Sequence, residues 1–211
     1  MSFRVVRINP KKYDLEPVRK IRDDILAGGI VIFPTETFYG LGANAFSPDG
    51  VREVYAFKER DKGKPLPIVA ADAESVLSYS EHLPRVFFDL IRQFWPGPLT
   101  LVVHARPLFP PKMLGPNNTI AVRVPGMAWL RDFLKDLGVP LTSTSANRSG
   151  HGEIADPFKI FRDFEDRNVT IIDAGRTTCG LSSTIVDVTS NPPKILREGA
   201  IPTECVAPFL F

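Results

Sequence analysis

The order of its apolar segments constrains the fold of this chain more than any other feature. "FRVVRI" alternates as a strand does, "DLEPVRKIRDDILAGG" has helical spacing and a glycine stop, and "IVIF" is a continuous apolar run typical of a buried strand. Strands and helices continue to alternate, and three strand-like segments then follow near the C-terminus: "VTIIDAG", "STIVDVT" and "KILREG". This order predicts an α/β layer structure with a mixed sheet.

The composition is that of a globular protein. The 211 residues are 44% hydrophobic and 24% charged, which excludes a disordered chain. Lys and Arg number 26 and Asp and Glu number 24, so the net charge of +2 does not by itself indicate nucleic-acid binding. No repeat or linker is visible, and we expect a single domain over residues 1–211.

Several kinds of site are missing from the sequence. Cys179 and Cys205 form no CxxC pair and the three histidines are scattered, so no metal site is predicted in the protein. The P-loop, the dinucleotide fingerprint and the nucleophile elbow are absent. No signal-peptide core or membrane-length apolar run is present, so we expect a soluble, cytoplasmic protein without a membrane partner.

Hydroxyl and basic side chains concentrate in stretches beside the predicted strands. They are "PTETFYGLG" (34–42), "KERDKGKP" (58–65), "LTSTSANRSG" (141–150), and "CGLSSTIVDV" (179–188) with "ILREGAI" (195–201). Each stretch alone fits an ordinary turn or a solvated helix end. Together they fit a groove for a polyanion, since arginine and lysine bind phosphate and glycine permits close backbone approach.

The chemistry that these stretches favour depends on positioning and charge. No nucleophile–histidine pair is visible, which disfavours covalent catalysis. Phosphoryl or nucleotidyl transfer is favoured instead, because it relies on orientation and on stabilisation of negative charge.

With "FWPGPLTLVV" and "IAVRVP", these stretches stand in the order found in the YrdC-like threonylcarbamoyl-AMP synthases. The chain resembles that family from Ile30 to Ile201. The resemblance implies a twisted mixed α/β sheet with flanking helices and a positively charged concave cavity. It also implies the single-domain form, without the extra C-terminal domain of longer members.

The reaction that the resemblance implies is condensation of L-threonine, bicarbonate and ATP to threonylcarbamoyl-AMP and pyrophosphate. Mg²⁺ is an expected helper, since metal ions stabilise charge on transferring phosphates. The product feeds modification of the adenosine next to the tRNA anticodon. The implied partners are therefore tRNA and downstream tRNA-modification proteins.

The resemblance also implies a role for individual residues. Lys58 and Arg60 match the family's basic catalytic positions. The implied ATP-binding set comprises Lys58, Arg60, Thr119, Ser145, Asn147 and Arg197. The implied threonine-binding set comprises Thr35, Arg123, Ser143 and Ser183. Arg123 suits this role chemically, because a guanidinium binds a carboxylate through two parallel hydrogen bonds.

Five positions depart from the family pattern, and one of them is Glu198, which turns "LRPG" into "LREG". Val69 and Met127 stand where many members have histidine, Glu153 stands in place of a serine, and Ser182 replaces the acid of an "EST" triplet. These departures leave two alternatives open. One is a YciO-type nucleotide-binding paralogue of unknown substrate, and the other is a double-stranded RNA-binding module.

Overall fold

Helices alternate with strands through most of the chain. The computed structural model describes residues 3–10, 16–59, 63–147, 154–177 and 180–210, except the side chains of Pro17 and Lys20. The helices in this part of the chain are α1 (Glu16–Leu26), α2 (Pro48–Lys58), α3 (Ala73–Tyr79), α4 (Arg85–Phe94), α5 (Ala128–Leu137), α6 (Pro157–Phe164) and α7 (Thr203–Val206). None of these helices is long and apolar enough to cross a membrane.

The strands are short and fall into two mixed sheets. Those in the described residues are β1 (Arg4–Arg7), β2 (Val31–Pro34), β3 (Tyr39–Gly42), β4 (Ile68–Val69), β5 (Ser80–Glu81), β6 (Leu99–Ala105), β7 (Thr119–Arg123), β8 (Leu141–Thr142), β9 (Thr144–Ser145), β10 (Thr170–Asp173), β11 (Thr184–Asp187) and β12 (Lys194–Arg197). One sheet has the order β1-β10-β2-β3-β9. The other has the order β12-β11-β6-β7-β4-β8, with β5 paired to β6. The predicted mixed α/β class is confirmed.

The segment from Leu141 to Ser145 joins the two sheets. The strand β8 pairs with β4 in the larger sheet, and β9 pairs with β3 in the smaller one. Ser143 lies between them, and its amide donates to the Pro67 carbonyl at 2.7 Å. The sequence "VPLTST" (139–144) predicts a strand here, and the structure has two short strands with a crossover residue between them.

Close backbone contact holds the crossover in place. A Cβ atom at Gly42 would lie 2.1 Å from the carbonyl oxygen of Thr142. Because that distance is far below any van der Waals contact, only glycine lets β3 approach the crossover so closely. The Thr142 hydroxyl accepts from the amide of Ala43 at 3.0 Å, which adds a second connection.

The core covers both faces of the smaller sheet. Ile32 and Ile171 belong to one buried apolar cluster, whereas their neighbours Phe33 and Ile172 belong to a second. Adjacent residues of a strand point to opposite faces, so β2 and β10 are buried on both sides. This explains why "IVIF" is a continuous apolar run rather than an alternating one.

The start and the end of helix α2 determine the position of Lys58. The Ser47 hydroxyl accepts from the amide of Gly50 at 3.1 Å, and Pro48 occupies the first turn. The helix stops where Glu59 takes a left-handed conformation, with a φ of 51°. Lys58 is therefore the last helical residue, and its side chain is buried.

Candidate active site

A cavity of about 380 Å³ is lined by residues from both sheets. Six of the ten residues predicted to bind ATP or threonine line it: Thr35, Arg123, Ser143, Ser145, Ser183 and Arg197. The lining contains two arginines and, within the described residues, no acidic side chain. The predicted positive charge of the cavity stays a prediction.

Lys58, Ser145 and Asn147 form a hydrogen-bonded cluster. The Lys58 Nζ donates to the Ser145 carbonyl at 2.5 Å and to Asn147 Oδ1 at 3.0 Å, and it lies 3.4 Å from Ser145 Oγ. The Ser145 hydroxyl donates to Asn147 Oδ1 at 2.7 Å. A buried ammonium must be hydrogen-bonded to be tolerated, and these oxygens meet that need. Of the three, only Ser145 lines the cavity; Lys58 and Asn147 lie behind it.

Arg197 and Ser183 are in direct contact. The guanidinium of Arg197 donates to the Ser183 carbonyl from Nε at 3.1 Å and from Nη2 at 2.8 Å. Nη2 also lies 3.2 Å from Ser183 Oγ, which in turn lies 2.8 Å from the hydroxyl of Thr100. A residue assigned to the nucleotide and one assigned to threonine are thus brought together in one wall.

Thr184 and Gly199 fix the position of Arg197. The Thr184 hydroxyl accepts from the amides of Gly199 and Ile201, each at 3.0 Å, and donates to the Ile201 carbonyl at 2.6 Å. A Cβ atom at Gly199 would lie 2.2 Å from the Ser182 carbonyl oxygen. The turn after β12 is therefore tied to Thr184, the first residue of β11, and this holds it beside Ser183.

Arg123 is buried at the end of β7, in the same sheet as β11 and β12, and contacts three protein groups. Its Nε donates to the Gly97 carbonyl at 3.2 Å and its Nη1 donates to the Thr37 hydroxyl at 3.1 Å. Nη2 lies 2.6 Å from Glu36 Oε1, close enough for an ion pair but without hydrogen-bond geometry. Glu36 Oε1 also accepts from the Gly126 amide at 2.8 Å.

These contacts narrow the way in which Arg123 can bind a carboxylate. The Nη2 atom is shielded from solvent, whereas Nη1 has a second N–H beyond the one donated to Thr37. The predicted two-point contact with threonine therefore requires Nη2 to become accessible. A one-point contact through Nη1 needs no such change.

The hydroxyl of Thr35 is satisfied within its own turn. It donates to the Phe38 carbonyl at 2.8 Å and accepts from the amide of Thr37 at 3.2 Å. It also lies 2.8 Å from the Thr37 hydroxyl, which has its proton available because it accepts from Arg123. Thr35 lines the cavity, but in this conformation its hydroxyl stabilises the turn rather than facing a ligand.

Besides Lys58 and Asn147, Thr119 is a described residue of the predicted set that does not line the cavity. Thr119 lies at the start of β7, on the same face as Ala121 and Arg123, but its hydroxyl donates to the Pro116 carbonyl at 2.9 Å. Arg60 lies outside the described residues, as does the family departure Glu153. Their predicted roles stay predictions.

Sequence reasoning gave no role to Thr100 or to the Glu36 carboxylate. Thr100 stands in an apolar strand, where a buried hydroxyl needs a partner. Glu36 was quoted in its stretch, but nothing local indicated that its partner is Arg123, which lies far along the chain. The departure Val69 pairs in register with Arg123 and lines the cavity beside it.

Tyr39 shows how burial sets the protonation of a group near the site. Burial raises the pKa of the Tyr39 phenol well above its usual range, and nearby Asp173 raises it further. The neutral hydroxyl donates to the Gly175 carbonyl at 2.8 Å, which fastens β3 to the loop after β10. Within the described residues, no group of three or more His, Cys, Asp or Glu side chains is arranged to bind a metal ion.

Comparison with known proteins identifies the family. The Sua5/YciO/YrdC family model, whose description reads "Telomere recombination", matches residues 23–199. The chain belongs to this family. The family stretches named above fall almost wholly inside the match, and they supply much of the cavity lining.

Named relatives and solved structures extend the comparison. The threonylcarbamoyl-AMP synthase of Pyrococcus abyssi is 37% identical over 180 residues, which cover 85% of this chain and 53% of that protein. The structure of P. abyssi Sua5 complexed with L-threonine has a TM-score of 0.92 at 33% identity, and the match covers 100% of this chain and 61% of that one. The fold of E. coli YciO matches with a TM-score of 0.82 at 24% identity, over 94% of this chain and 96% of that one. The chain spans about half the length of the first two curated relatives that it matches.

Proposed function

We propose that this chain forms threonylcarbamoyl-AMP and pyrophosphate from L-threonine, bicarbonate and ATP, as a nucleotidyltransferase. The observation that carries the proposal is the contact between Arg197, on the predicted nucleotide side, and Ser183, on the predicted threonine side, within one cavity. The names of relatives such as the P. abyssi synthase support the same activity.

The proposed reaction needs no covalent intermediate on the protein. The threonine amine and bicarbonate give a carbamate and water. A carbamate oxygen then attacks the α-phosphorus of ATP, and the bond to the β-phosphate oxygen breaks to release pyrophosphate. The protein has to hold two anions together and stabilise the charge that develops between them.

The described residues divide this work between the two ends of the cavity. Lys58, through Ser145 and Asn147, and Arg197 supply cationic and hydrogen-bonding groups for the phosphates. Arg123, Ser143 and Ser183 orient the amino acid. We assign Arg60 and Thr119 to ATP from the family pattern, and Thr35 to the threonine end through its turn.

The site gives Mg²⁺ no protein carboxylate among the described lining residues. Magnesium in nucleotide sites usually combines phosphate oxygens and waters with one or two carboxylates. The lining therefore does not fit a resident magnesium ion, and we assign it no protein ligand.

The wider role that we propose follows from the product. Threonylcarbamoyl-AMP is a reactive mixed anhydride, so an acceptor must consume it. We propose that downstream tRNA-modification proteins and tRNA do so in the cytoplasm, and that residues 1–211 act as one domain.

Omission of each substrate in turn tests the proposal. Purified protein is incubated with ATP, threonine and bicarbonate, and pyrophosphate release is followed. We expect release that falls to background when any one of the three is left out. Release that does not depend on threonine, or no release at all despite measurable ATP binding, would contradict the proposal.

A YciO-type paralogue with an unknown substrate is the second candidate. Val69 beside Arg123 favours it, because it places an apolar side chain in the threonine end where many relatives have histidine. Thermal-shift measurements separate the two candidates, since a ligand that binds the native state raises its melting temperature. Stabilisation by ATP but not by threonine would favour the paralogue. RNA binding stays a prediction, which salt-dependent binding that ATP does not displace would support.

A further inference from the structure

We propose that Thr100 is a positioning residue that sets the hydrogen-bond donor capacity of Ser183 toward the amino-acid substrate. This inference rests on the proposed function, since it concerns how the threonine end of the same cavity receives a carboxylate or carbamate oxygen. Neither the resemblance nor the comparisons assign a role to Thr100.

Thr100 lies on β6, between β7, which carries Arg123, and β11, which begins just after Ser183. It is buried, it lines the cavity, and its hydroxyl lies 2.8 Å from Ser183 Oγ. The ladder between β6 and β7 pairs Leu101 with Val122, so Thr100 and Arg123 are the next residues along it. Thr100 thus stands between Arg123 on one side and Ser183 on the other.

The hydroxyl groups of Thr100 and Ser183 together have one proton that they can donate to a ligand. The two hydroxyls have one proton each, and the hydrogen bond between them uses one of the two. Arg197 can only donate, so its contact with Ser183 Oγ at 3.2 Å uses no hydroxyl proton. One proton therefore remains, and among the described residues no further acceptor for it is found. An anionic oxygen in the cavity is a suitable acceptor.

The presence of Thr100 decides where that proton points. When Thr100 donates to Ser183, the Ser183 proton is directed to the cavity. Without Thr100, the Ser183 hydroxyl loses its second donor and is free to rotate away from the ligand. The effect on substrate passes through Ser183, which makes Thr100 a positioning residue rather than a catalytic one.

Three variants test the inference. Thr100→Val removes the hydroxyl with little change in shape, and we expect a rise of roughly 10- to 100-fold in KM for threonine, as for a lost charge-assisted hydrogen bond. The ATP dissociation constant should stay within about threefold, a difference below that of one neutral hydrogen bond. Thr100→Ser keeps the hydroxyl and should restore the wild-type KM. The matched control is Thr177→Val, because the Thr177 hydroxyl is buried and has no hydrogen-bond partner among the described residues.

Each outcome either supports or overturns the inference. A wild-type KM for threonine in Thr100→Val overturns it, as does an equal weakening of threonine and ATP binding together with a fall in melting temperature. If Thr100→Val does not fold, Thr100→Cys replaces it, and equal KM values for Cys and Ser variants overturn the inference. If the wild type itself shows no threonine-dependent pyrophosphate release, the proposed function fails and the inference fails with it.

Discussion

Replacing Gly199 by alanine tests whether the turn after β12 holds Arg197 against Ser183. The added Cβ atom would lie 2.2 Å from the Ser182 carbonyl oxygen and 2.7 Å from the carbonyl carbon of Ser183. An ordinary contact needs roughly 1 Å more, and both neighbours are backbone atoms that cannot rotate aside. The turn after β12 must therefore move away from β11.

The cost of that movement can be worked out from the contacts that it breaks. The Thr184 hydroxyl makes three hydrogen bonds to the turn, two to Ile201 and one to Gly199. Loss of one or two of these bonds, with overpacking, should lower the free energy of unfolding by about 2–4 kcal/mol. Displacement of Arg197 should also weaken ATP binding by roughly 10- to 100-fold, as for a lost charge-assisted contact.

Urea unfolding and titration with ATP measure the two effects. Gly126→Ala is the control for stability, because the three atoms nearest to its Cβ would be side-chain atoms of Glu36, at 3.2 Å or more. We expect the control to lose less than about 1 kcal/mol, since a flexible side chain can move. If Gly199→Ala unfolds like the wild type, Gly199 does not lie as close to the backbone of Ser182 and Ser183 as described. If it is destabilised but binds ATP normally, Arg197 does not bind the nucleotide.

The remaining predictions concern charge at three other places. Lys58→Met should abolish most turnover by removing the ammonium bonded to Asn147, and unchanged pyrophosphate release would assign Lys58 to structure alone. Arg123→Lys should raise KM for threonine by roughly tenfold and leave ATP affinity unchanged, because lysine cannot reproduce the three guanidinium contacts; equal loss for both ligands would contradict this. Asp72 caps α3, and its hydrogen bond from the Ser75 amide lowers the pKa of its carboxyl group. The ionised carboxylate therefore stabilises the folded state above the unfolded pKa of about 4, and this stabilisation is lost as the pH falls below it. Asp72→Ala should therefore cost about 1 kcal/mol in urea unfolding at pH 7 and less at pH 3, and an equal cost at both would refute the assignment.

Local patterns predicted the elements that local forces determine. The sequence "SPDG" predicts that α2 begins at Ser47 and Pro48, because a cap and a first-turn proline act on their own neighbours. The buried strand β2 follows from its continuous apolar run. Neither prediction needed any knowledge of the rest of the chain.

Long-range pairing explains what the sequence did not reveal. The stretch from Tyr39 to Gly42 alone fits an ordinary turn, but its Gly40 and Leu41 pair with Thr144–Ser145, about a hundred positions away. The approach of Gly42 to Thr142 is a tertiary contact that no local pattern encodes. The division of the strands into two sheets was missed for the same reason.

The candidate site was predicted as a set of residues but not as a set of contacts. Family order placed Ser145 and Asn147 together, and the structure joins both to Lys58. The family order did not indicate that Arg197 contacts Ser183, nor that Glu36 is the partner of Arg123. The pairing of these side chains depends on packing between segments that are distant in sequence.

The most direct measurement of the central claim uses bicarbonate labelled with heavy carbon. Purified wild-type protein is incubated with it, ATP and threonine, and the nucleotide products are analysed by mass spectrometry. We expect an adenylate that contains threonine and one labelled carbon, formed in step with pyrophosphate and greatly reduced in Gly199→Ala. ATP binding without any labelled adenylate would contradict the claim that this cavity joins threonine, bicarbonate and ATP.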